Sequence, residues 1–515
     1  MKVAGCFGIA VGAFILVALI FGTTPTISGI IVSMFYLHPV AWLLAILAVV
    51  SFVAAAFVAD YNTSIDSGLA WIPVVTGLVL STIFLIWLGI QNPIKMATLS
   101  QHTQYAVNSP LIPQQEIRPV AYSIASANFG SNISDTRFAP GDLDYVQDHW
   151  TASIDPVGFW NQVLRPTQGI YVFNNDLTST PHIQPFTFSE KGMLWNSAIS
   201  KIRSHEYFVE FSDVLYVLQP DGEYLAVTTL IKRAGLARYP YIYGVAVISS
   251  DGFIDLKPLD QARLDPRLAG ISLIPEDFEA TRVAAYGWRN GWFAGLFTRT
   301  GRIAVQTSAV DSENAAPYLM KSVNGNIWYS PLAPYNAPDK STVGIAMSDA
   351  HGDDQTVHLW LLPSETAYPG ADFLASLIES SVNHININWF RQSGDTKCGN
   401  VAVLEMVPLI RQEATGPKLY YMGYISAAPI SSNVKFYAII DPATKIVYED
   451  LPSFGHVDSW LKGEFELNPI TQNSATVDPS TGQCLLLDEL PQVPDQTLVD
   501  YLKQLTEELD RRLGQ

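Results

Sequence analysis

Three long apolar runs without a charged residue lie within the first hundred positions, and they constrain the fold more than any motif does. The runs cover residues 3–21, 40–58 and 69–90. A helix rises about 1.5 Å per residue, so about 20 residues cross a hydrocarbon core roughly 30 Å thick. We therefore predict three transmembrane helices in a membrane domain of residues 1–91. The apolar stretch 27–37 is too short to span and is expected at the membrane interface.

The charge pattern of this region predicts an anchor and a sidedness. Because the three runs contain no Asp, Glu, Lys or Arg, they lack the groups that ion and proton paths normally need. Lys2 and Lys95 are its flanking basic residues. With Lys2 inside and three crossings, the large C-terminal part lies outside the cytoplasm, in the periplasm or extracellular space. Cys398 and Cys484 could pair in that oxidising compartment, or remain two unpaired thiols.

The overall charge excludes several classes of partner. The chain has 48 acidic and 30 basic residues and a net charge of -18. Such a surface repels nucleic acid and anionic lipid headgroups. Phosphate-binding loops of the P-loop or G-x-G-x-x-G type are missing, so no nucleotide is expected. The usual nucleophile and zinc-protease motifs are missing too, which favours a non-catalytic protein, although a triad assembled from distant residues carries no motif.

The rest of the chain is rich in β-hairpins. After a polar, proline-containing linker at 92–119, alternating strands close at turns that contain a residue able to take positive φ. These turns lie at Gly222, Gly252, Gly301, Gly325, residues 442–444 and Gly482. Helical patterns interrupt the strands, and the irregular turn spacing argues against a repeat array such as a propeller. We predict a membrane-anchored α+β protein with two β-rich domains, 120–310 and 311–490.

The C-terminal segment 494–513 predicts a short amphipathic helix. Its leucines are spaced 4, 3 and 4 residues apart, which forms a seam two heptads long. The four leucines are Leu498, Leu502, Leu505 and Leu509. A helix this short is marginal alone, so it must dock on another surface. That surface is the protein's own globular part, a second copy of the chain or a partner helix.

Two acidic clusters could hold a hard cation such as Ca²⁺, the one cofactor that the sequence suggests. The first places oxygen ligands and an imidazole in one glycine-containing loop. Its residues are Asp349, His351, Asp353 and Asp354. The second cluster is of similar quality and consists of Asp142, Asp144, Asp148 and His149. Solvated acidic loops without a ligand are the alternative interpretation of both.

An aromatic segment at 286–297 is the candidate binding surface. It combines aromatic rings and an arginine among glycines, the residue types enriched at interface hot spots and at sugar-stacking platforms. The candidate residues are Tyr286, Trp288, Arg289, Trp292 and Phe293. A buried strand would give the same composition.

The leading functional hypothesis is a non-catalytic, membrane-anchored extracytoplasmic scaffold, receptor or assembly subunit of a larger envelope complex. Its expected partners are the membrane, other membrane or envelope proteins, and a second copy through the C-terminal helix. The alternative is a membrane-anchored extracytoplasmic hydrolase or carbohydrate-binding enzyme that uses the acidic loops and the aromatic segment. A membrane protein of a virion or a conjugation apparatus is a further alternative.

Overall fold

Strands dominate the part of the chain that the structure describes, and helices lie between them. The structure, a computed structural model, describes residues 28–29, 31–61, 71–192, 197–297, 302–308, 316–337, 341–363, 366–382, 391–393, 396–398, 401–427, 434–448 and 451–470. Its α-helices are α1 (Pro39–Tyr61), α2 (Trp71–His102), α3 (Tyr122–Asn132), α4 (Phe159–Leu164), α5 (Ala198–His205), α6 (Leu259–Ala262), α7 (Glu276–Ala285), α8 (Trp292–Phe297), α9 (Ala371–Ser381) and α10 (Phe454–Leu461). This strand-rich mixture agrees with the predicted combination of helices and antiparallel strands.

Helix α2 matches the third predicted span. It is long and apolar enough to cross a membrane by length and composition, and only 6% of its most apolar window is buried. A core helix of a soluble protein would be mostly buried. The span predicted at 40–58 lies within α1, whose described apolar stretch is shorter than a span needs. The span predicted at 3–21 lies outside the described residues, so one of the three predicted spans is supported.

The segment predicted as a linker, 92–119, is structured. Helix α2 continues through Pro93 to His102, and its buried side includes Met96 and Leu99. Proline lacks the N–H that would bond to the preceding turn, but the helix is continuous across it. Two short strands follow, β1 (Tyr105–Val107) and β2 (Gln114–Glu116). The polar composition of this segment did not predict a helix. A few apolar side chains at helical spacing are enough to pack the end of α2 against the rest of the protein.

The remaining strands follow in chain order. The first group is β3 (Phe138–Val146), β4 (His149–Pro156), β5 (Ile170–Asn174), β6 (His182–Gln184), β7 (Glu210–Phe211), β8 (Leu215–Leu218), β9 (Tyr224–Ala234), β10 (Tyr239–Ile248) and β11 (Ile254–Pro258). The second group is β12 (Ile303–Val305), β13 (Tyr318–Ser322), β14 (Gly325–Pro334), β15 (Ser341–Thr342), β16 (Gly344–Asp349), β17 (Val357–Leu361) and β18 (Tyr368–Pro369). The third group is β19 (Arg391–Ser393), β20 (Thr396–Cys398), β21 (Val401–Glu413), β22 (Gly416–Ala427), β23 (Val434–Asp441) and β24 (Ile446–Val447).

Most of these strands form four successive antiparallel meanders. Meander 1 is β3-β4-β5-β6, meander 2 is β8-β9-β10-β11, meander 3 is β13-β14-β16-β17, and meander 4 is β21-β22-β23-β24. Strand β1 adds in parallel to β17, while β2 pairs with β13. Consecutive four-stranded antiparallel sheets are the connectivity of propeller blades. The sequence did not predict it, because helices inserted between the meanders make the turn spacing irregular.

The turns predicted at Gly222, Gly252 and Gly325 are confirmed. They join β8 to β9, β10 to β11 and β13 to β14, and all three glycines have positive φ. The turn at 442–444 likewise joins β23 to β24. The turns at Gly301 and Gly482 lie outside the described residues. Glycine closes these hairpins because the left-handed conformation carries little steric cost for it.

The largest hydrophobic core combines residues from both predicted domains. Phe129 and Trp150 from the first half lie in one cluster with Tyr329, Tyr421 and Tyr424 from the second. The predicted boundary near 309–316 falls mostly outside the described residues, so the division into two domains stays a prediction. The C-terminal helix at 494–513 with its leucines, and Cys484, also lie outside them. Cys398 is the last residue of β20.

A buried ion pair joins the segment before α3 to meander 4. The Arg118 guanidinium binds the Glu405 carboxylate, whose side chain is 2% exposed. The same carboxylate accepts a hydrogen bond from the Tyr122 backbone N–H at 3.1 Å. On the other side, the Arg118 guanidinium lies 5.6 Å from the Trp150 ring of meander 1. Arg118 therefore connects the first and last meanders.

Replacing Glu405 by Ala should destabilise the fold by about 3–5 kcal/mol, because it leaves the Arg118 charge buried without its partner. The free energy of unfolding of the full chain in mild detergent, followed by tryptophan fluorescence in urea, measures this loss. The matched control is Lys321→Ala, which removes a more exposed pair with Glu116 and should cost at most about 1 kcal/mol. Equal losses in the two variants would show that the Arg118 pair does not hold the meanders together.

Candidate functional site

A cavity of about 150 Å³, hereafter the central cavity, lies between meanders 1, 2 and 3. Strands β3, β8 and β13 border it, together with the loop that leads into α7. Drug-sized ligands occupy pockets of about 300–1,000 Å³, so this cavity suits a smaller molecule. Its charged and aromatic lining includes Asp144, Asp213, Glu276, Arg118, Tyr145, Trp150, Tyr318 and Trp328.

Asp144 projects from β3 just after an irregularity in the strand pairing. The register of β3 against β4 shifts between Pro140 and Leu143. Bulges of this kind redirect side chains and are frequent near functional sites. The Asp144 Oδ2 atom is shut off from solvent and has no hydrogen-bond partner among the described residues. Burial, then the charges of Asp213 and Glu190, raises the pKa of Asp144 well above its usual value, so the protonated form is favoured.

Glu276 is the first residue of α7, directly after Pro275. Burial, then the charges of Asp277 and Asp213, raises the pKa of Glu276 to about 7. The positive end of a helix dipole favours the ionised form at this position, but the burial effect is the larger one. About half of the Glu276 carboxyl groups therefore carry a proton near neutral pH.

Asp213 lies in the loop between β7 and β8 and is the exposed member of the three carboxyl groups in the cavity. Partial burial, then the charge of Asp142, raises its pKa. Its contact with solvent favours the ionised form more than at Asp144 or Glu276. The cavity thus combines carboxyl groups in three different environments.

The positive and aromatic groups of the cavity are already engaged. Arg118 is paired with Glu405, and its charge lowers the pKa of Glu276 less than burial and the charges of Asp277 and Asp213 raise it. Trp328 Nε1 donates to the Ile274 carbonyl at 2.9 Å, and Trp150 Nε1 donates to a loop carbonyl at 3.0 Å. The two rings therefore contribute apolar surface to the cavity.

A second pair of carboxyl groups lies behind Asp144. Tyr216 donates its hydroxyl to Glu190 Oε1 at 2.7 Å, and Ser153 donates to Asp155 Oδ2 at 2.9 Å. Burial, then the charge of Asp155, raises the pKa of Glu190 to about 8. A Cβ at Gly141 would come within 2.1 Å of the Ser153 hydroxyl. Glycine at this irregularity of β3 therefore lets the strand approach the pair closely.

The second predicted acidic cluster divides between the cavity and the surface. Asp144 lines the central cavity, whereas Asp142 is exposed and acts on its neighbours through its charge. Asp148 takes a left-handed conformation in the β3–β4 turn. His149 Nδ1 faces a backbone carbonyl of the same turn at 2.8 Å. Only Asp144 of the four borders the cavity.

Internal hydrogen bonds organise the predicted calcium loop. Asp349 accepts the backbone N–H groups of His351 and Asp354 at 2.9 and 3.0 Å. Both ring nitrogens of His351 face backbone carbonyls, at 3.0 and 3.2 Å. Asp354 contacts His358 at 3.0 Å, and Asp353 is exposed. Among the described residues, no group of three or more His, Cys, Asp or Glu side chains is arranged to hold a metal. The calcium site stays a prediction without support from these contacts.

The predicted aromatic surface is helical and splits into a buried and an exposed part. Tyr286 is buried, and the Arg289 guanidinium lies 4.1 Å above its ring. Trp288 packs against Gly295, where an added Cβ would come within 2.4 Å of the ring. Trp292 and Phe293 in α8 are exposed. The alternative interpretation as a buried strand is wrong, because the segment forms a 3-10 turn at Tyr286–Trp288 followed by α8.

One serine, one histidine and one aspartate form a chain of contacts that no motif announces. Ser109 Oγ lies 3.2 Å from His358 Nδ1, and His358 Nε2 lies 3.0 Å from Asp354. The serine hydroxyl also donates to the Ala106 carbonyl at 2.9 Å. None of the three residues lines the central cavity. This chain stabilises the pairing of β1 with β17 and does not present an activated nucleophile.

Asp213 and Glu276 are the cavity residues that the sequence analysis missed. Asp213 lies in a loop and Glu276 in the acidic first turn of α7, so no single stretch of sequence contains both. Pro275, directly before Glu276, is the one sequence feature that indicates the start of a helix at Glu276. Asp213 has no such signal, because only the fold brings it near Asp144.

Comparisons with known proteins add little to this geometry. No protein-family model matches the chain, and no curated protein matches it. Among solved structures, an endo-arabinase from Bacteroides thetaiotaomicron is 12% identical, with 64% of this chain and 99% of that chain covered and a TM-score of 0.19. A polysaccharide lyase, an ulvan lyase, is 9% identical, with 66% of this chain and 57% of that chain covered and a TM-score of 0.14. These carbohydrate-active enzymes are too dissimilar to carry an argument.

Replacing Glu276 by Gln should change the pH dependence of stability. Because the folded state raises the Glu276 pKa from 4.5 to about 7, its bound proton stabilises the fold fully below pH 4.5. That stabilisation is lost as the pH rises towards 7. Glutamine stays neutral, so the variant should exceed the wild type by about 1–3 kcal/mol at pH 8 and match it at pH 4. Urea unfolding at both pH values measures the difference.

The exposed residue Glu464 provides the matched control. Glu464→Gln should have little effect on stability at either pH. A Glu276→Gln variant whose stability parallels the wild type from pH 4 to pH 8 would contradict the raised pKa.

Proposed function

We propose that the protein is a membrane-anchored hydrolase that uses the central cavity for acid–base chemistry on a small carbohydrate. The observation that carries the proposal is the grouping of Asp144, Asp213 and Glu276 around one cavity, in environments of different polarity. Perturbed carboxyl groups in a cleft are characteristic of functional sites, although structural networks perturb pKa values as well. The proposal sharpens the hydrolase alternative and places its chemistry in neither the calcium loop nor the aromatic segment.

The three carboxyl groups suit the two steps of glycoside hydrolysis. One group must hold a proton for the leaving oxygen, and another must be ionised to activate water or attack the sugar. Glu276, with a pKa of about 7, is suited to the acid role. Asp213, which is exposed, is suited to the ionised role. Asp144, with its unpartnered oxygen, would bind a sugar hydroxyl as a neutral acid.

The size and lining of the cavity limit the substrate. A volume of about 150 Å³ suits a single sugar ring better than a chain of sugars bound along its length. Tyr145, Trp150, Tyr318 and Trp328 supply apolar surface beside the carboxyl groups, and aromatic surface of this kind packs against sugar rings. Because the carboxyl groups would repel another anion, a neutral or basic sugar is the proposed substrate.

The anchoring part of the proposal rests on α2. Its first two turns and its middle expose large apolar side chains, which water does not tolerate at this density. They are Trp71, Ile72, Val75, Leu78, Val79, Ile83, Leu85, Ile86 and Leu88. A lipid environment removes that cost. We retain the sequence-based expectation that the large soluble part lies outside the cytoplasm.

A non-catalytic scaffold or receptor is the second candidate function, and a patch on meander 1 favours it. Helix α4 exposes Phe159, Trp160 and Leu164, and Val157 lies just before it. The Phe159 and Trp160 rings touch edge to face, with their centroids 5.1 Å apart. A rigid apolar patch containing tryptophan is typical of a protein interface. An envelope protein with a matching apolar groove is the partner that this candidate requires.

For the hydrolase, Glu276→Gln and Asp213→Asn should each reduce turnover of a neutral aryl glycoside by about 10²–10⁴-fold. Loss of the acid's proton should also lower wild-type turnover as the pH rises above about 7. Release of the aryl group from a panel of glycosides, with the full chain in detergent, measures both effects. Asp148→Asn is the control, because Asp148 lies in the same sequence cluster but outside the central cavity. Unchanged turnover in Glu276→Gln would refute the assigned roles.

For the scaffold, a partner should co-purify in fixed proportion with the wild type in mild detergent and be lost from Trp160→Ala and Leu164→Ala. Quantitative mass spectrometry of the purified complex measures the proportion. Phe253→Ala provides the control, because Phe253 is equally exposed on a different meander. A partner that stays bound to the α4 variants, or a wild type that purifies alone, counts against this candidate.

A further inference from the structure

A polar pair marks the level at which the apolar helices meet the soluble part. The side chains of His38 and Gln91 lie 3.4 Å apart. His38 directly precedes α1, and Gln91 follows the exposed apolar stretch of α2. Beyond this level, Pro93, Met96 and Leu99 of α2 are buried against the soluble part. The boundary between lipid and water therefore falls close to His38 and Gln91, if α2 crosses the membrane as proposed.

Helix α8 is fixed close to this boundary. Trp288 packs in one cluster with Met96 and Leu99 of α2, and α8 then packs over Trp288 through Gly295. Arg302 lies 4.0 Å from the centre of the Trp288 ring and donates to the Gly295 carbonyl at 2.7 Å. A single layer of side chains thus separates α8 from the part of α2 just past the boundary.

The outer side of α8 is a continuous aromatic surface. Trp292, Phe293 and Phe297 are 37%, 63% and 74% exposed. The centroids of Trp292 and Phe293 are 5.7 Å apart, and those of Phe293 and Phe297 are 4.9 Å apart. The buried residue of the helix is Gly295. Three rings directed outwards from so short a helix are costly in water but favourable at a membrane interface.

Three basic residues lie near the same boundary in a protein that is acidic overall, and one of them, Arg233, is paired with Glu210. Lys95 lies on α2 one turn past Gln91. Arg233 donates its backbone N–H to the Tyr36 hydroxyl at 2.7 Å, and the Arg238 guanidinium lies 5.0 Å from the Tyr36 ring. Tyr36 belongs to the short helical segment before α1. The predicted repulsion of anionic headgroups follows from the total charge, whereas Lys95 and Arg238 would attract them locally.

We propose that α8 lies in the headgroup region of the bilayer that α2 crosses, with Trp292, Phe293 and Phe297 inserted among the lipids. The proposal rests on the membrane crossing in the proposed function, and it adds a second point of attachment. The closeness of α8 to the end of the exposed stretch of α2, together with the charges of Lys95 and Arg238, favours a lipid surface over a protein partner. Two points of attachment would fix the orientation of the soluble part relative to the membrane.

Collisional accessibility of nitroxide labels in reconstituted bilayers tests the proposal. Each label is attached to a genetically encoded ketone amino acid that replaces Phe293 or Phe297. The three cysteines therefore stay unchanged. Both labels should be reached by oxygen and shielded from a water-soluble nickel complex, as expected for side chains among lipid headgroups. A label at Phe253 is the control. Arg238 precedes the first residue of β10 and Phe253 follows its last, so the two residues are about 30 Å apart along the strand. That label should be freely reached by nickel.

A further label at Ile83 separates the two proposals. If Ile83 is shielded from nickel while Phe293 and Phe297 are not, the crossing of α2 stands and the interfacial role of α8 is refuted. If Ile83 is reached by nickel, the crossing itself fails, and the interfacial role fails with it. If the shielding of Phe297 disappears when the protein is diluted with excess lipid, a second copy of the chain covers α8, and the lipid proposal is overturned.

Discussion

The buried ion pair between Arg118 and Glu405 determines how the centre of the molecule is charged. Arg118 lines the central cavity together with residues of meanders 1, 2 and 3, and its partner Glu405 belongs to meander 4. Because Glu405 takes up the charge of Arg118, the carboxyl groups of the central cavity lack a strong cationic partner in Arg118. They respond by holding protons, since burial without a cation disfavours the ionised form. The same pair that connects the first and last meanders therefore leaves the cavity with protonatable acids.

Carboxyl groups that are buried without a cationic partner make the fold less stable than an apolar centre would. Raised carboxyl pKa values mean that ionisation opposes folding as the pH rises. A well-packed apolar centre would avoid this cost, and proteins usually accept such local conflicts where function requires them. Asp144 shows the conflict most directly, because one of its oxygens is closed to water and has no described partner. Binding of a ligand in the cavity, as proposed, would explain why the fold accepts this cost.

Local patterns predicted local structure well, and the site depended on distant residues. The apolar run at 69–90 predicted the exposed part of α2. Glycine turns predicted the hairpins at Gly222, Gly252 and Gly325. Both predictions succeeded because each pattern lies within one short stretch of sequence. The four meanders escaped prediction, since inserted helices break the repeat. Asp144 was noticed only as a member of an acidic cluster. Its cavity partners come from other loops, and no single-sequence pattern encodes that meeting.

Helix α2 joins its exposed apolar stretch to the packed end near Met96 and Leu99 without a break. Its first two thirds expose apolar side chains, and its last ten residues belong to the core around Met96 and Leu99. The change from exposed apolar side chains to buried ones occurs within one turn near Gln91 and Pro93. A helix that is continuous across this change transmits its tilt directly to the meanders. In the proposed membrane crossing, packing would set the position of the soluble part, and the contact between Trp288 and the end of α2 would define it.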